Sequence, residues 1–172
     1  MDWYMIVLRI LHIGSGVFWV GAAAVFFWFI EPSIKAAGPG GQAVMREITI
    51  KRRFPVIITA AATLTVLAGF LLYLRASDGF RADWIQTGTG LGITVGALAA
   101  IGAWLAGFFL IKPRVDRLGA IGAAVQAGGG PPTDAQIAEI QSLERQLRTI
   151  GLSDLVLLGL AVVAMAVARY LG

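Results

Sequence analysis

The sequence predicts an all-α, polytopic membrane protein: four transmembrane helices in an antiparallel bundle, with a cytoplasmic helical hairpin extending helices three and four. Hydrophobic residues make up 58% of the 172 residues and charged residues only 14%, which is too apolar for an ordinary soluble domain. Four apolar runs approach or exceed the ~20 residues that cross a bilayer. We therefore expect one transmembrane domain over residues 1–172. The runs are Trp3–Ile30, Phe54–Leu74, Gly88–Ile111 and Leu152–Ala168.

The first run is predicted to stay in the mature chain, because it is too long for a signal peptide and lacks a small-residue cleavage motif. A breaker follows at Gly38-Pro-Gly-Gly41, since glycine and proline interrupt helices. From Gln42 to Arg53 we expect a helix that runs into the second span at Phe54. Pro55 is expected to kink this junction or to mark the first turn of the span.

The third run carries a stripe of small residues with a period of four. Such a stripe allows a neighbouring helix to approach closely, or it forms a smooth wall for a flat ligand such as a porphyrin. Pro113 is expected to close or kink this helix. The stripe consists of Gly88, Gly92, Gly96 and Ala100, followed by Trp104.

A helical hairpin is predicted at about residues 113–150, with about 15 residues in each arm. Gly128 to Pro132 provides the turn, and Thr133 with Gln136 forms a capping box for the second arm. An apolar stripe from Ile137 to Ile150 indicates an amphipathic helix. The hairpin is either a solvated stalk or a surface that docks a partner.

Basic residues are concentrated in the first and third connections, whereas the second connection balances its charges. By the positive-inside rule, connections one and three are cytoplasmic and both termini face outside. We expect a multi-pass protein of the plasma membrane (the inner membrane of a bacterial cell). Its partners are the lipid bilayer and either a homo-oligomer or a larger membrane complex. Basic residues that flank spans indicate topology, so no nucleic acid is expected.

The best candidate for a site is the stretch that contains His12, the single histidine of the chain. Helical spacing places Arg9, His12, Gly16 and Trp19 on one face. An ionisable residue inside a membrane is a functional candidate by default. Three interpretations stay open: a hydrogen-bonded packing residue, a haem or metal ligand, and a proton-transfer group.

Depth along the bundle predicts which residues share the level of His12. Helices one and three descend from the outside and helices two and four ascend. Glycines at that level would remove side-chain volume and leave room for a ligand. The predicted walls of this outer-leaflet pocket are Gly69, Gly88, Gly92 and Met165.

Several chemistries are not expected. The chain has no cysteine, which excludes disulfides, thiolate metal sites and cysteine nucleophiles. A Ser-His-Asp set is not expected, with one histidine and with the spans treated as free of acidic residues. The glycines of the third run neither follow a strand nor precede a lysine, so they are no phosphate loop.

Two stretches carry a resemblance to a known family. Leu11-His12-Ile13 is followed by Val17, Trp19 and Gly21, and Arg52-Arg53-Phe54 is followed by Ile58-Thr59, Leu64-Thr65 and Gly69. Over roughly residues 8–74 these resemble small four-helix membrane proteins of the CopD and HemJ type. HemJ-type proteins are haem-b-binding protoporphyrinogen oxidases, and CopD-type proteins are linked to copper import or resistance.

The chain is more similar to the wider CopD-like group than to HemJ-type proteins. It lacks the further histidines and the lysine that HemJ-type proteins carry on later helices, and it has no lysine between Lys51 and Lys112. The resemblance therefore implies haem b binding without implying the oxidase activity, and the sequence leaves open whether the protein is an enzyme.

On the haem interpretation, His12 is the axial ligand, Arg9 pairs with the propionates, Gly16 allows close approach and Trp19 packs below. The second ligand is Met165, water or a residue of another subunit. On the copper interpretation, His12 and Met165, with Met5 as a further candidate, form a sparse Cu(I) site. We expect a haem-related or redox role first, a non-catalytic scaffold or accessory subunit second, and copper handling third.

Overall fold

The computed structural model describes residues 2–172, and within this range all regular secondary structure is helical, with no strand. Four helices are long and apolar enough to cross a membrane. They are α1 (Trp3–Ala36), α3 (Phe54–Ala76), α5 (Gly88–Gly128) and α6 (Asp134–Tyr170). Two short helices, α2 (Pro39–Arg46) and α4 (Ala82–Ile85), lie in the connections.

Local signals explain where the long helices begin. Asp2 accepts a hydrogen bond from the backbone of Met5, and Thr87 accepts one from Gly90. Thr133 and Gln136 form the predicted capping box at the start of α6. These side chains satisfy amide groups that have no partner in the first turn of a helix.

Two of the long helices widen just before a proline. Phe26–Ile30 and Gly107–Ile111 are π-helical, and the first of these precedes Pro32 while the second precedes Pro113. A proline has no amide hydrogen, and its ring clashes with the carbonyl four residues earlier. The wider turn accommodates the ring, so α5 continues through Pro113 instead of closing there.

The predicted helix from Gln42 to Arg53 is confirmed as far as Lys51, because α2 is followed directly by a π-helical segment, Glu47–Lys51. Its predicted continuation into the second span is wrong, since Arg53 adopts a left-handed conformation with φ of 53°. This conformation ends the helical path before α3 begins. Pro55 lies in the first turn of α3, as predicted.

The four long helices pack as two close pairs. Helix α1 lies mainly against α3 and α5 mainly against α6, while α3–α5 and α1–α6 contacts join the pairs. Every long helix contributes to one buried cluster near the middle of the bundle. Its members are Trp19, Ala23, Ala62, Ala103 and Leu158.

The outer surface of the bundle is rich in exposed large apolar side chains, including Trp28, Val56, Leu98 and Val156. In water such a surface would favour aggregation. It is the expected surface of helices that contact lipid chains, because lipid is as apolar as these side chains.

The far end of α5 and the beginning of α6 are connected by charged side chains. The guanidinium of Arg117 donates to both carboxylate oxygens of Glu139 at 2.6 and 3.0 Å. Arg114 donates to the side chain of Gln146 at 2.9 Å. Gly129, with φ of 66°, forms the left-handed cap between the helices, which agrees with the predicted turn.

Candidate functional site

His12 lies on α1 and is hydrogen-bonded to α3. Its Nδ1 is 2.8 Å from the backbone carbonyl oxygen of Thr65. Since a carbonyl oxygen only accepts, Nδ1 carries the hydrogen, and in a neutral ring Nε2 holds the free lone pair. The ring is half-buried. Within residues 2–172 this is the one hydrogen bond that the ring makes, so Nε2 is left available as an acceptor or ligand.

Gly69 makes room for this imidazole. A Cβ atom at Gly69 would lie 2.8 Å from Cε1, 2.9 Å from Nδ1 and 3.8 Å from Nε2 of His12. The first two distances are shorter than van der Waals contact, so only glycine accepts the ring in this position. Nε2 is the ring nitrogen farther from this position of α3.

Thr65 joins α1 and α3 a second time through its side chain. Its hydroxyl lies 2.7 Å from that of Ser15, and it donates to the carbonyl of Ala61 at 2.8 Å. A Cβ at Gly16 would lie 3.3 Å from the Thr65 methyl group. The volume that Gly16 leaves free is therefore filled by Thr65.

The predicted face of α1 is divided in the structure. Trp19 is 6% exposed and belongs to the central cluster, whereas the Arg9 side chain is exposed. Leu8, at 7% exposure, takes the inward position one turn before His12. Helix α1 thus directs Trp19 inward and Arg9 outward.

The other predicted walls lie in a different interface. A Cβ at Gly92 would be 2.9 Å from the Cβ of Ala168, and a Cβ at Gly88 would clash with Leu171. Met165 lies against Gly96, where a Cβ would come within 2.6 Å of its Cγ. The structure therefore brings His12 together with Gly69, and it brings Gly88, Gly92 and Met165 into the α5–α6 contact.

The prediction that the spans contain no acidic residue is wrong. Asp154 lies within the fourth apolar run, is 6% exposed, and has one carboxylate oxygen, Oδ1, without a hydrogen-bond partner among the described residues. The spacing of the sequence indicates the inward position of Asp154. Asp154 shares one face of α6 with Gly151, Leu158 and Ala161, at the three- and four-residue spacing of an inward stripe.

The side chains available as ligands limit how a metal ion could be bound. Within residues 2–172 no group of three or more His, Cys, Asp or Glu side chains is placed to hold a metal ion. A metal held at His12 would therefore depend on ligands other than such a cluster, for example a porphyrin.

No protein-family model matches the chain. No curated protein and no solved structure matches it either.

Proposed function

We propose that this chain is an antiparallel four-helix membrane protein that binds haem b through Nε2 of His12 and serves a haem-related or redox role. The observation that carries the proposal is the hydrogen bond from His12 Nδ1 to the carbonyl of Thr65. A histidine ligand commonly donates its other ring N–H to a carbonyl, which fixes the tautomer and the orientation of the ring.

The order of contacts supports the antiparallel arrangement. Along α1 from His12 to Gly16, the contacts on α3 move back from Gly69 to Thr65. Along α5 from Gly92 to Gly102, the contacts on α6 move back from Ala168 to Leu157. Contacts whose residue numbers rise along one helix and fall along the other indicate that the two helices are antiparallel.

Charge supports the sidedness. The connection between α1 and α3 and the hairpin formed by the end of α5 and the start of α6 carry most of the basic residues, so we place both in the cytoplasm. Both termini then face outside, and His12 lies in the outer half of the membrane. We place the protein in the plasma membrane.

The glycines suggest where the haem lies. The volumes at Gly16 and Gly69 are filled by Thr65 and His12, so the space inside the α1–α3 contact does not fit a porphyrin. The imidazole itself fits as a haem ligand, because Nε2 makes no hydrogen bond among the described residues and is farther than Nδ1 from Gly69. The haem is therefore proposed to lie on the outer surface of this pair.

This position of the haem suggests a partner for its propionates and limits the choice of a second ligand. Arg9 is exposed less than one turn before His12 and carries no ion pair within the described chain, so it can donate to a propionate. Met165 would not hold the haem together with His12, because it packs against Gly96 in the other pair; a second ligand would be water or a residue of another subunit. Bound haem b supplies one-electron chemistry, and the chain orients it through His12.

An absorption spectrum tests the proposal. The full chain is expressed with haem supplied, purified in detergent, and measured oxidised and reduced. We expect a Soret band that is lost in His12→Ala and kept in Met165→Leu, a control of similar volume. The haem proposal fails if the wild-type protein shows no Soret band in either redox state, or if His12→Ala leaves the band unchanged.

A second candidate is a non-catalytic scaffold or accessory subunit. It is favoured by the Arg117–Glu139 and Arg114–Gln146 contacts, which hold the two arms of the hairpin together beyond the apolar runs. A rigid projection suits partner docking. On this alternative His12 is only a packing residue and the protein purifies without a chromophore. Copper handling, the third candidate, is not favoured, because His12 lies in the α1–α3 contact and Met165 in the α5–α6 contact.

A further inference from the structure

We propose that Asp154 is a proton-binding site inside the membrane, reached from the end of the bundle at which Glu31 lies. The proposal concerns the opposite half of the molecule from His12 and does not depend on haem binding. It rests on the burial of Asp154, on the apolar groups around it and on the order of contacts between α1 and α6.

The surroundings of Asp154 are apolar on both sides along α6. One turn before it, Gly151 is covered by the ring of Phe27. One turn after it, Leu158 is 1% exposed and lies in the central cluster. Asp154 itself is 6% exposed, and its Oδ1 has no hydrogen-bond partner in the described chain. An isolated carboxylate in such surroundings is very unfavourable.

No cation is available to compensate this charge within the spans. Helix α1 has no ionisable residue between His12 and Glu31, α3 has none from Phe54 to Leu72, and α5 has none from Gly88 to Ile111. On α6 the nearest base is Arg148, about 9 Å away along the helix axis. A proton is therefore the ligand that neutralises Asp154, since a metal ion would need several oxygen ligands.

Glu31 lies at the entrance to this site. It is 8% exposed; its Oε1 accepts from Lys35 at 2.6 Å, and its Oε2 lies 3.5 Å from Arg148 without forming a hydrogen bond. The Arg148–Glu31 contact is followed along the seam by Gly151–Phe27, and then by Asp154 one turn further. A proton entering from this end passes Glu31 and then the Phe27 ring.

Dicyclohexylcarbodiimide provides a test because it is apolar and adds to protonated carboxyl groups. The carboxyl proton moves to a carbodiimide nitrogen, and the adduct rearranges to a stable acylurea without a leaving group. The full chain is treated in detergent at several pH values, and the modified residue is located by peptide mass spectrometry. We expect adduct at Asp154, with more modification in mildly acidic than in alkaline buffer.

Three variants sharpen the test. Asp154→Asn should lose the adduct and keep its thermal unfolding temperature, because the amide resembles the neutral acid. Glu31→Gln should keep the adduct at Asp154. A water-soluble carbodiimide should reach Asp154 in Phe27→Ala and not in the wild type.

Carbodiimide modification of the wild-type protein is by itself enough to overturn the proposal. An Asp154 that stays unmodified by the apolar reagent, or whose modification does not change with pH, is no proton-binding site. Equal modification of the wild type by the water-soluble reagent shows that Asp154 lies open to water. These outcomes do not depend on the folding of any variant.

Discussion

The ring of Phe27 lies directly over the α-carbon of Gly151, at the level where α1 meets α6. A Cβ at Gly151 would overlap ring atoms of Phe27, so the two helices approach as closely as they do only because residue 151 is glycine. This contact separates the buried carboxyl of Asp154 from the charged groups around Glu31.

Gly151→Ala should destabilise the protein by about 1–3 kcal/mol, the usual cost of forcing an extra carbon into a packed contact. The matched control is Gly159→Ala on the same helix, where a Cβ meets nothing within 4 Å. The control should be neutral or stabilise by up to about 1 kcal/mol, because alanine favours helix more than glycine does. Thermal unfolding in detergent gives the comparison, and equal effects of the two variants would refute the Phe27 contact.

Gly69→Ala should displace the imidazole of His12 and break its hydrogen bond to Thr65. A Cβ there would come within 2.9 Å of Nδ1, so the ring must rotate away. If haem is bound at His12, the Soret band should shift or weaken. Gly14→Ala, where a Cβ meets nothing within 4 Å, is the control and should leave the spectrum unchanged. A Gly69→Ala protein with the wild-type spectrum would argue against ligation through this ring orientation.

The four long helices could be predicted from the sequence, because the length of each apolar run is enough to indicate a transmembrane helix. The runs beginning at Trp3, Phe54 and Gly88 coincide with the starts of three long helices. The Thr133 capping box is equally local, since both of its partners lie within one turn. Such features need no knowledge of the neighbouring helices.

Contacts between helices depend on rotation about each axis, and apolar runs do not determine this rotation. The level of Gly69 beside His12 was predictable from depth. Depth alone could not show that Gly92 and Met165 face each other's helices rather than His12. Mean hydropathy does not reveal Asp154, because a single acid hardly changes the average over its run, whereas its inward position depends on the rotation of α6.

The hydrogen bond between Trp104 and Thr63 should stabilise the α3–α5 contact. The indole Nε1 donates to the Thr63 hydroxyl at 3.1 Å. Hydrogen bonds between membrane helices contribute about 0.6 kcal/mol on average. Trp104→Phe, Thr63→Val and the double variant form a cycle whose coupling energy should be favourable and close to this value. The cycle is required because Thr63 also donates to the carbonyl of Thr59; a coupling of zero would contradict the contact.

The ion pair between Arg81 and Asp83 should make the loop before α5 sensitive to acid. The hydrogen bond from the Arg81 guanidinium lowers the pKa of the Asp83 carboxyl below its ordinary value. A group whose pKa is lower in the folded state stabilises that state fully above its unfolded pKa, about 3.9 for aspartate. This contribution is lost as the pH falls through the lower, folded value.

Hydrogen exchange of the loop amides, measured across this acidic range, should therefore accelerate relative to exchange in the spans as the pH falls. Arg81→Gln removes the partner and should abolish the pH dependence while leaving Asp83 in place. High salt should weaken the effect in the wild type, because the pair is exposed and screened. Loop protection that stays constant through this range, or that depends on pH equally in Arg81→Gln, would show that the ion pair does not hold the loop.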